Sequence, residues 1–322
     1  MPTEILGHEA WFTRERPPYD WSFTFQSATL VLIFAAVAIA VLWRLVGARL
    51  PKPEIGVLRP LGRLSPWIPR LLAIHAGVSL LAQAARGTYL APSLRLSDSP
   101  FGSALAIVEG LAGVWLITGF RVRPAAALLV VAGPLGMLHY GVVPIVERVD
   151  LLGVALFLTI LPPEDSPGGR VSASPERQAN ALLALRALVG VSLIVLAFTE
   201  KLARPALAVA FLDDHPAFNL FQVLGLPGGE LAFIRVAGAI ELLFGLLILS
   251  GSVPQVAVIL AGVPFNATLF FLGPSELIGH LPIYGAMLAL LIYGSDDRIS
   301  PLVPGLARAR EQHRKPALST AT

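Results

Sequence analysis

The stretches ALAIVEGLAGVWLITGF (Ala104–Phe120) and VAGAIELLFGLLILSGS (Val236–Ser252) decide the fold of this chain. Both are apolar over the length of a helix, both carry one glutamate, and both close near a glycine. A constant offset of 132 residues aligns Glu109 with Glu241, Gly113 with Gly245 and Gly119 with Gly251. The same offset pairs Gly141 with Gly273 and Gly153 with Gly285, so the stretches belong to longer repeats. A charged side chain at mid-bilayer costs roughly 2.5–3.5 kcal/mol on insertion scales. A chain that incurs that cost twice, at matching positions, reads as a duplicated membrane protein.

Composition agrees. Hydrophobic residues make up 55% of the chain and charged residues 14%, too apolar a balance for water. The absence of cysteine excludes disulfides, thiolate catalysis and cysteine-ligated iron–sulfur or zinc sites. The net charge of +3 is spread over short loops and not gathered in one patch, so nucleic acid is not an expected partner.

A span needs about 20 mostly apolar residues. Nine segments qualify: 28–46, 66–85, 101–119, 124–143, 148–162, 181–200, 230–250, 254–272 and 276–293, the fifth and ninth being short. The expected fold is therefore an all-α, polytopic transmembrane bundle. Arg44, Arg49, Lys52, Arg59, Arg63 and Arg70 face a single acid, Glu54, in the loop after the first span. Arg121 and Arg123, and then Arg298, Arg308, Arg310, Arg314 and Lys315 in the tail, fall on the same side. The positive-inside rule makes that side cytoplasmic and puts the N-terminus outside. Glu4, Glu9, Glu15 and Asp20 precede the first span, which excludes a basic-flanked signal peptide. The aromatic flank Trp11, Phe12, Tyr19, Trp21, Phe23 and Phe25 reads as an interfacial element on the outer face.

The organisation follows: an N-terminal segment, first helix and cytoplasmic loop (1–65), a first four-helix repeat (66–162), a linker (163–180), a second four-helix repeat (181–293) and a cytoplasmic tail (294–322). Four spans is an even number, so both repeats point the same way and are expected to share an axis along the membrane normal. Arg70 and Arg186 open the repeats at an offset of 116, which leaves sixteen extra residues in the first outer loop of the second repeat. Both arginines are expected to snorkel to the inner headgroups. The loop over 203–229 reads as a helix on the outer surface or re-entering it.

LRALVGVSLIVLAFTEKL (Leu185–Leu202), RVAGAIELLFGLLILSG (Arg235–Gly251) and LALLIYGSDDRIS (Leu288–Ser300) resemble the DoxX family of small four-helix bacterial membrane proteins. Arg186, Lys201, Glu241, Gly251 and the Gly-Ser-Asp tail carry the resemblance. The first repeat keeps Arg70, Glu109 and Gly119 but has Gln83-Ala84-Ala85-Arg86 where the Thr-Glu-Lys stretch would stand. The resemblance implies a bacterial inner-membrane protein linked to quinol oxidation, with quinone as the cofactor class and a membrane or extracytoplasmic redox protein as partner.

The candidate site residues are Glu109, Glu241, Arg235, Glu200 and Lys201. The twin glutamates read either as protonated, hydrogen-bonded glue or as a proton relay facing a quinone. Arg235 lies about five residues into its span, and Glu200 is its expected acidic partner. His139 and His280 are the one histidine pair at a common depth able to hold a haem, a weaker reading than quinone. His215, His280, Asp213 and Glu276 lack the spacing of a metal motif. Three functions remain open: a redox-associated subunit with quinone between the repeats, a small-solute or lipid transporter, and a non-catalytic anchor for an outer partner. A quinone site would leave an apolar cleft open to lipid, and a transporter a polar cavity open to water.

Overall fold

The computed structural model describes residues 17–165 and 168–304. Trp11 and Phe12 of the aromatic flank, and Arg308, Arg310, Arg314 and Lys315 of the tail, lie outside the described residues. The long helices are α1 (Ser27–Gly47), α2 (Ile68–Ala85), α3 (Pro100–Thr118), α4 (Val122–Tyr140) and α5 (Val149–Ile160) of the first half. The second half adds α6 (Pro175–Leu196), α7 (Pro205–Asp214), α8 (Gly229–Ser250), α9 (Pro254–Leu272) and α10 (Pro274–Ser295). One small hairpin, β1 (Thr88–Tyr89) with β2 (Ala91–Arg95), interrupts the helical pattern after α2. Eight of the described helices are long and apolar enough to cross a membrane, and the chain is a multi-pass membrane protein.

The fifth expected span, 148–162, is α5, whose 12 residues rise only about 18 Å. It nevertheless runs back across the bundle. Its C-terminal carbonyls meet the start of α4, through Arg123 Nε to Thr159 O at 3.2 Å, and the start of α6, through Arg177 Nη2 to Ile160 O at 2.8 Å. Its other end meets Ser192, near the far end of α6. The turn Val142–Val146 supplies the remaining length. Val154, Ala155, Phe157 and Leu158 are wholly buried, so α5 sits inside the bundle.

Helices α2, α5, α6 and α10 make the centre. Within each repeat the first helix packs on the second, α2 on α3 and α6 on α8. Between repeats the last helix of one packs on the first of the other, α5 on α6 and α10 on α2. This reciprocity is what a two-fold relation between repeats produces, and small residues set its distances. A methyl group on Gly77 would lie 2.7 Å from Gly113 O; one on Gly190 would lie 2.8 Å from Gly245 O. Gly153 backs onto Leu185 and Leu188, and Gly285 onto Leu72 and His75. These pairs place the first helices at an offset of 113, not 116. Arg186 therefore stands one turn further along its helix than Arg70.

Both arginines turn to the end of a neighbouring helix. Arg186 is 1% exposed and donates to Leu249 O; Arg70 donates to Leu116 O and Ile117 O. Both guanidinium groups press against the left-handed glycine that ends the neighbouring helix, Gly119 (φ +77) and Gly251 (φ +61). A side chain there would collide with the guanidinium and force an unfavourable φ. A cation at a helix C-terminus satisfies carbonyls that have no partner within the helix; at Arg186 that cap is buried, and at Arg70 it is partly exposed.

The loop between α6 and α8 lies along one end of the bundle, where α1 begins. A six-residue π-turn (Ala197–Leu202) extends α6, and α7 then packs Leu207, Ala208, Phe211 and Leu212 inward, beside Phe23 and Ile234. The described part of the aromatic flank is fastened to this loop by Asp20 N to Ala203 O (2.8 Å) and Thr24 Oγ1 to Leu202 O (2.7 Å). Phe23 is buried, while Trp21 and Phe25 stay exposed.

Candidate functional site

Glu109 and Glu241 occupy equivalent positions on α3 and α8 but have different surroundings. Glu109 is 1% exposed; its Oε1 accepts from Leu90 N at 2.8 Å, at the tip of the hairpin, and its Oε2 has no hydrogen bond among the described residues. The Glu241 side chain is 38% exposed and pairs with Lys201 Nζ at 2.8 Å. The hairpin follows α2, whereas the π-turn follows α6. Each repeat therefore presents its glutamate with a different partner: a backbone N–H in one, an ammonium in the other.

Arg235 does not pair with Glu200 in the described contacts. It reaches the first helix, donating to Gln26 Oε1 and to Thr29 Oγ1 (3.3 Å), and its guanidinium lies 4.5 Å from the Phe23 ring centre. Glu200 is itself buried, one residue before Lys201 in the π-turn. Thus Lys201 and Glu241 come together, Glu200 adjoins Lys201 in sequence, and Arg235 anchors α1.

A second polar group lies where the repeats meet. Arg148 and Asp150 are both buried and 3.3 Å apart at the start of α5. Arg148 also donates to Gly279 O on α10. Ser79 and Ser192, again 113 residues apart, donate respectively to Ile278 O and Glu147 O in the other repeat. In a low-dielectric interior a lone charge is far more costly than a paired one, so this arrangement fixes the register between α5, α6 and α10.

His139 is exposed and sits against Phe101 (ring centres 5.7 Å) and Tyr140 (4.7 Å). His280 is buried on α10, with Nδ1 3.2 Å from Glu276 Oε1 and its ring 5.1 Å from that of Phe265. The two rings thus have different surroundings, His139 exposed at the end of α4 and His280 buried on α10. Among the described residues no three histidine, aspartate or glutamate side chains converge as a metal site.

The feature that sequence reasoning missed is a cleft of about 470 Å³ between α9 and α10. Its mouth is flanked by the exposed Ile259 and Val263, its floor includes Met287 and Leu291, and its two polar side chains are Asn266 and Tyr284. Tyr284 Oη donates to Phe265 O at 2.8 Å, and Asn266 Nδ2 to Gly262 O at 2.7 Å. Glu276, His280 and Tyr284 follow one another at four-residue spacing, a stripe on one face of α10 from its first turn to the cleft. That spacing was legible in the sequence. That a cleft opens beside its last member was not. Comparisons with protein-family models, with curated proteins and with solved structures give no match to this chain.

Proposed function

We propose that the chain is a DoxX-like, quinone-linked subunit of a bacterial inner membrane, N-terminus outside, that takes a quinol or quinone from the lipid and works with a membrane or extracytoplasmic redox partner. The carrying observation is the cleft between α9 and α10. It is apolar, it opens on a face of exposed Ile259 and Val263, and two polar side chains can meet a ring oxygen: Asn266 has a second amide N–H to donate, and Tyr284 Oη can accept from a quinol hydroxyl. Ligand sites of this size are mostly apolar with a few placed polar groups. The quinone would thus lie inside the second repeat and not between the repeats. Protons released at Tyr284 would meet His280 and Glu276 along the same face of α10, towards the outer end, and the partner would take the electrons.

The second reading, a small-solute transporter with its site between the repeats, draws support from the buried Arg148–Asp150 pair. Binding separates the two. A methyl group on Gly262 meets Met287 Cε only at 3.6 Å, so a larger residue has room to enter and fill the cleft. Gly262→Leu is expected to abolish binding of a short-chain quinone, followed by thermal shift in mild detergent, while leaving the unliganded melting temperature within a few degrees. Undiminished quinone binding by a folded Gly262→Leu variant would remove the cleft as the site.

A further inference from the structure

A second cleft, also of about 470 Å³, lies at one end of the first repeat, where the start of α4, the end of α5 and the start of α6 meet. It is independent of the quinone reading. Three arginines from two segments line it: Arg121 and Arg123 at the start of α4, and Arg177 in the first turn of α6. Arg123 uses Nε to bond Thr159 O (3.2 Å), and Arg177 uses Nε and Nη2 to bond Ile160 O (3.0 and 2.8 Å). Those bonds hold the guanidinium planes by their inner edges against the C-terminus of α5. Arg121 is set by its backbone, left-handed at φ 45, and its guanidinium lies 5.3 Å from the Phe120 ring centre.

Two acids, Glu164 and Asp165, also line the cleft, and backbone donors occupy an oxygen of each: Ser172 N to Glu164 Oε1 at 3.1 Å and Arg121 N to Asp165 Oδ1 at 2.7 Å. Three cations against two partly engaged anions leave the cleft positive. Its depth is fixed without reference to orientation. Phe120 and Arg121 form the turn between two spanning helices, so the cleft stands at the membrane surface, at headgroup level. Arginine binds tetrahedral oxyanions through its fork of N–H groups, and basic pockets between spanning helices suit anionic headgroups.

We infer that this cleft binds a phosphate group, supplied by the headgroup of an anionic phospholipid. The probes are phosphatidylglycerol, phosphatidylcholine and inorganic phosphate, each added to the full chain in neutral detergent. Native mass spectrometry counts retained lipid, and thermal shift follows phosphate. The wild-type chain is expected to retain phosphatidylglycerol over phosphatidylcholine. Each arginine removed, as Arg121→Gln or Arg123→Gln, should cut that preference roughly fivefold. Because the Arg121 guanidinium caps no helix, Arg121→Gln tests binding even if Arg177→Gln disturbs the end of α5. A stabilising shift with inorganic phosphate alone, lost in Arg121→Gln, would support the phosphate site with a soluble donor as its source. Equal retention of both lipids, or a preference untouched by both substitutions, together with no phosphate shift, overturns the inference.

Discussion

Glu109 and Glu241 show how one position in a repeat acquires two chemistries. The Leu90 N–H that Glu109 accepts is buried, and a buried donor left unpaired costs about 1–3 kcal/mol. Glu109→Gln keeps a carbonyl acceptor of the same shape, so its melting temperature should stay close to wild type. Glu109→Leu removes the acceptor and should lose about 1–3 kcal/mol, measured by unfolding in detergent. Glu241→Gln leaves Lys201, only 10% exposed at its side chain, without the carboxylate 2.8 Å away. Removing one partner of a buried pair is usually costly, but the carboxylate here is partly exposed. Glu241→Gln should therefore be more harmful than Glu109→Gln, and Lys201→Met in the same background should recover part of the loss. An equal response from the two Glu→Gln variants would contradict the different surroundings described above. The glutamates themselves were legible as a pair, because their register with Gly113 and Gly245 lies within single helices. Their partners were not, because Leu90 belongs to a hairpin and Lys201 to a π-turn that no repeat pattern announces.

Two kinds of contact hold the elements together. Close backbone approach at Gly77–Gly113 and Gly190–Gly245 leaves no room for a methyl group, the small-residue packing that membrane helices favour. Gly190→Ala and Gly77→Ala should each destabilise by about 1–3 kcal/mol, as overpacking does; Gly141→Ala, where nothing lies within 4 Å, should be governed by its φ of +83 alone. The other contact fastens the 3₁₀ segment Gly56–Trp67 to the end of α10. Burial by itself would raise the Asp296 carboxyl. Hydrogen bonds from the Arg298 side chain and backbone and from Ser65 Oγ (2.8 Å) outweigh it and hold the group below the ordinary 3.8. With the folded value depressed, the stabilisation is present above about pH 3.8 and is lost as pH falls through the folded value. Asp296→Asn should lower the melting temperature at neutral pH and lessen its fall on acidification, read from melting curves taken across pH 2 to 6.

Across the whole molecule, the reciprocal packing of α5 on α6 and α10 on α2 makes the two repeats one body with a shared centre. An odd number of crossings, with α5 completing the fifth, is expected to put the two ends of the chain on opposite faces. A cytoplasm-active reporter fused after Thr322 should be functional and one fused before Glu4 silent. Activity at both ends would mean that α5 does not complete a crossing. Sequence determined part of this unaided: the all-helical, multi-pass class, the segments apolar enough to cross, and the matching glutamate and glycine register of α3 and α8. These are readable because apolarity and glycine punctuation act within a single helix or at its ends, where neighbours in sequence are neighbours in space. Tertiary structure alone decided that Arg186 caps α8 from inside, that Arg235 turns to Gln26 and Thr29 and not to Glu200, that His139 is exposed and His280 buried, and that a cleft opens between α9 and α10. Each of these depends on which helix stands beside which. In a bilayer that choice is made by packing and hydrogen bonds between residues tens to hundreds of positions apart, since lipid is as apolar as the helix surfaces and does not bias it.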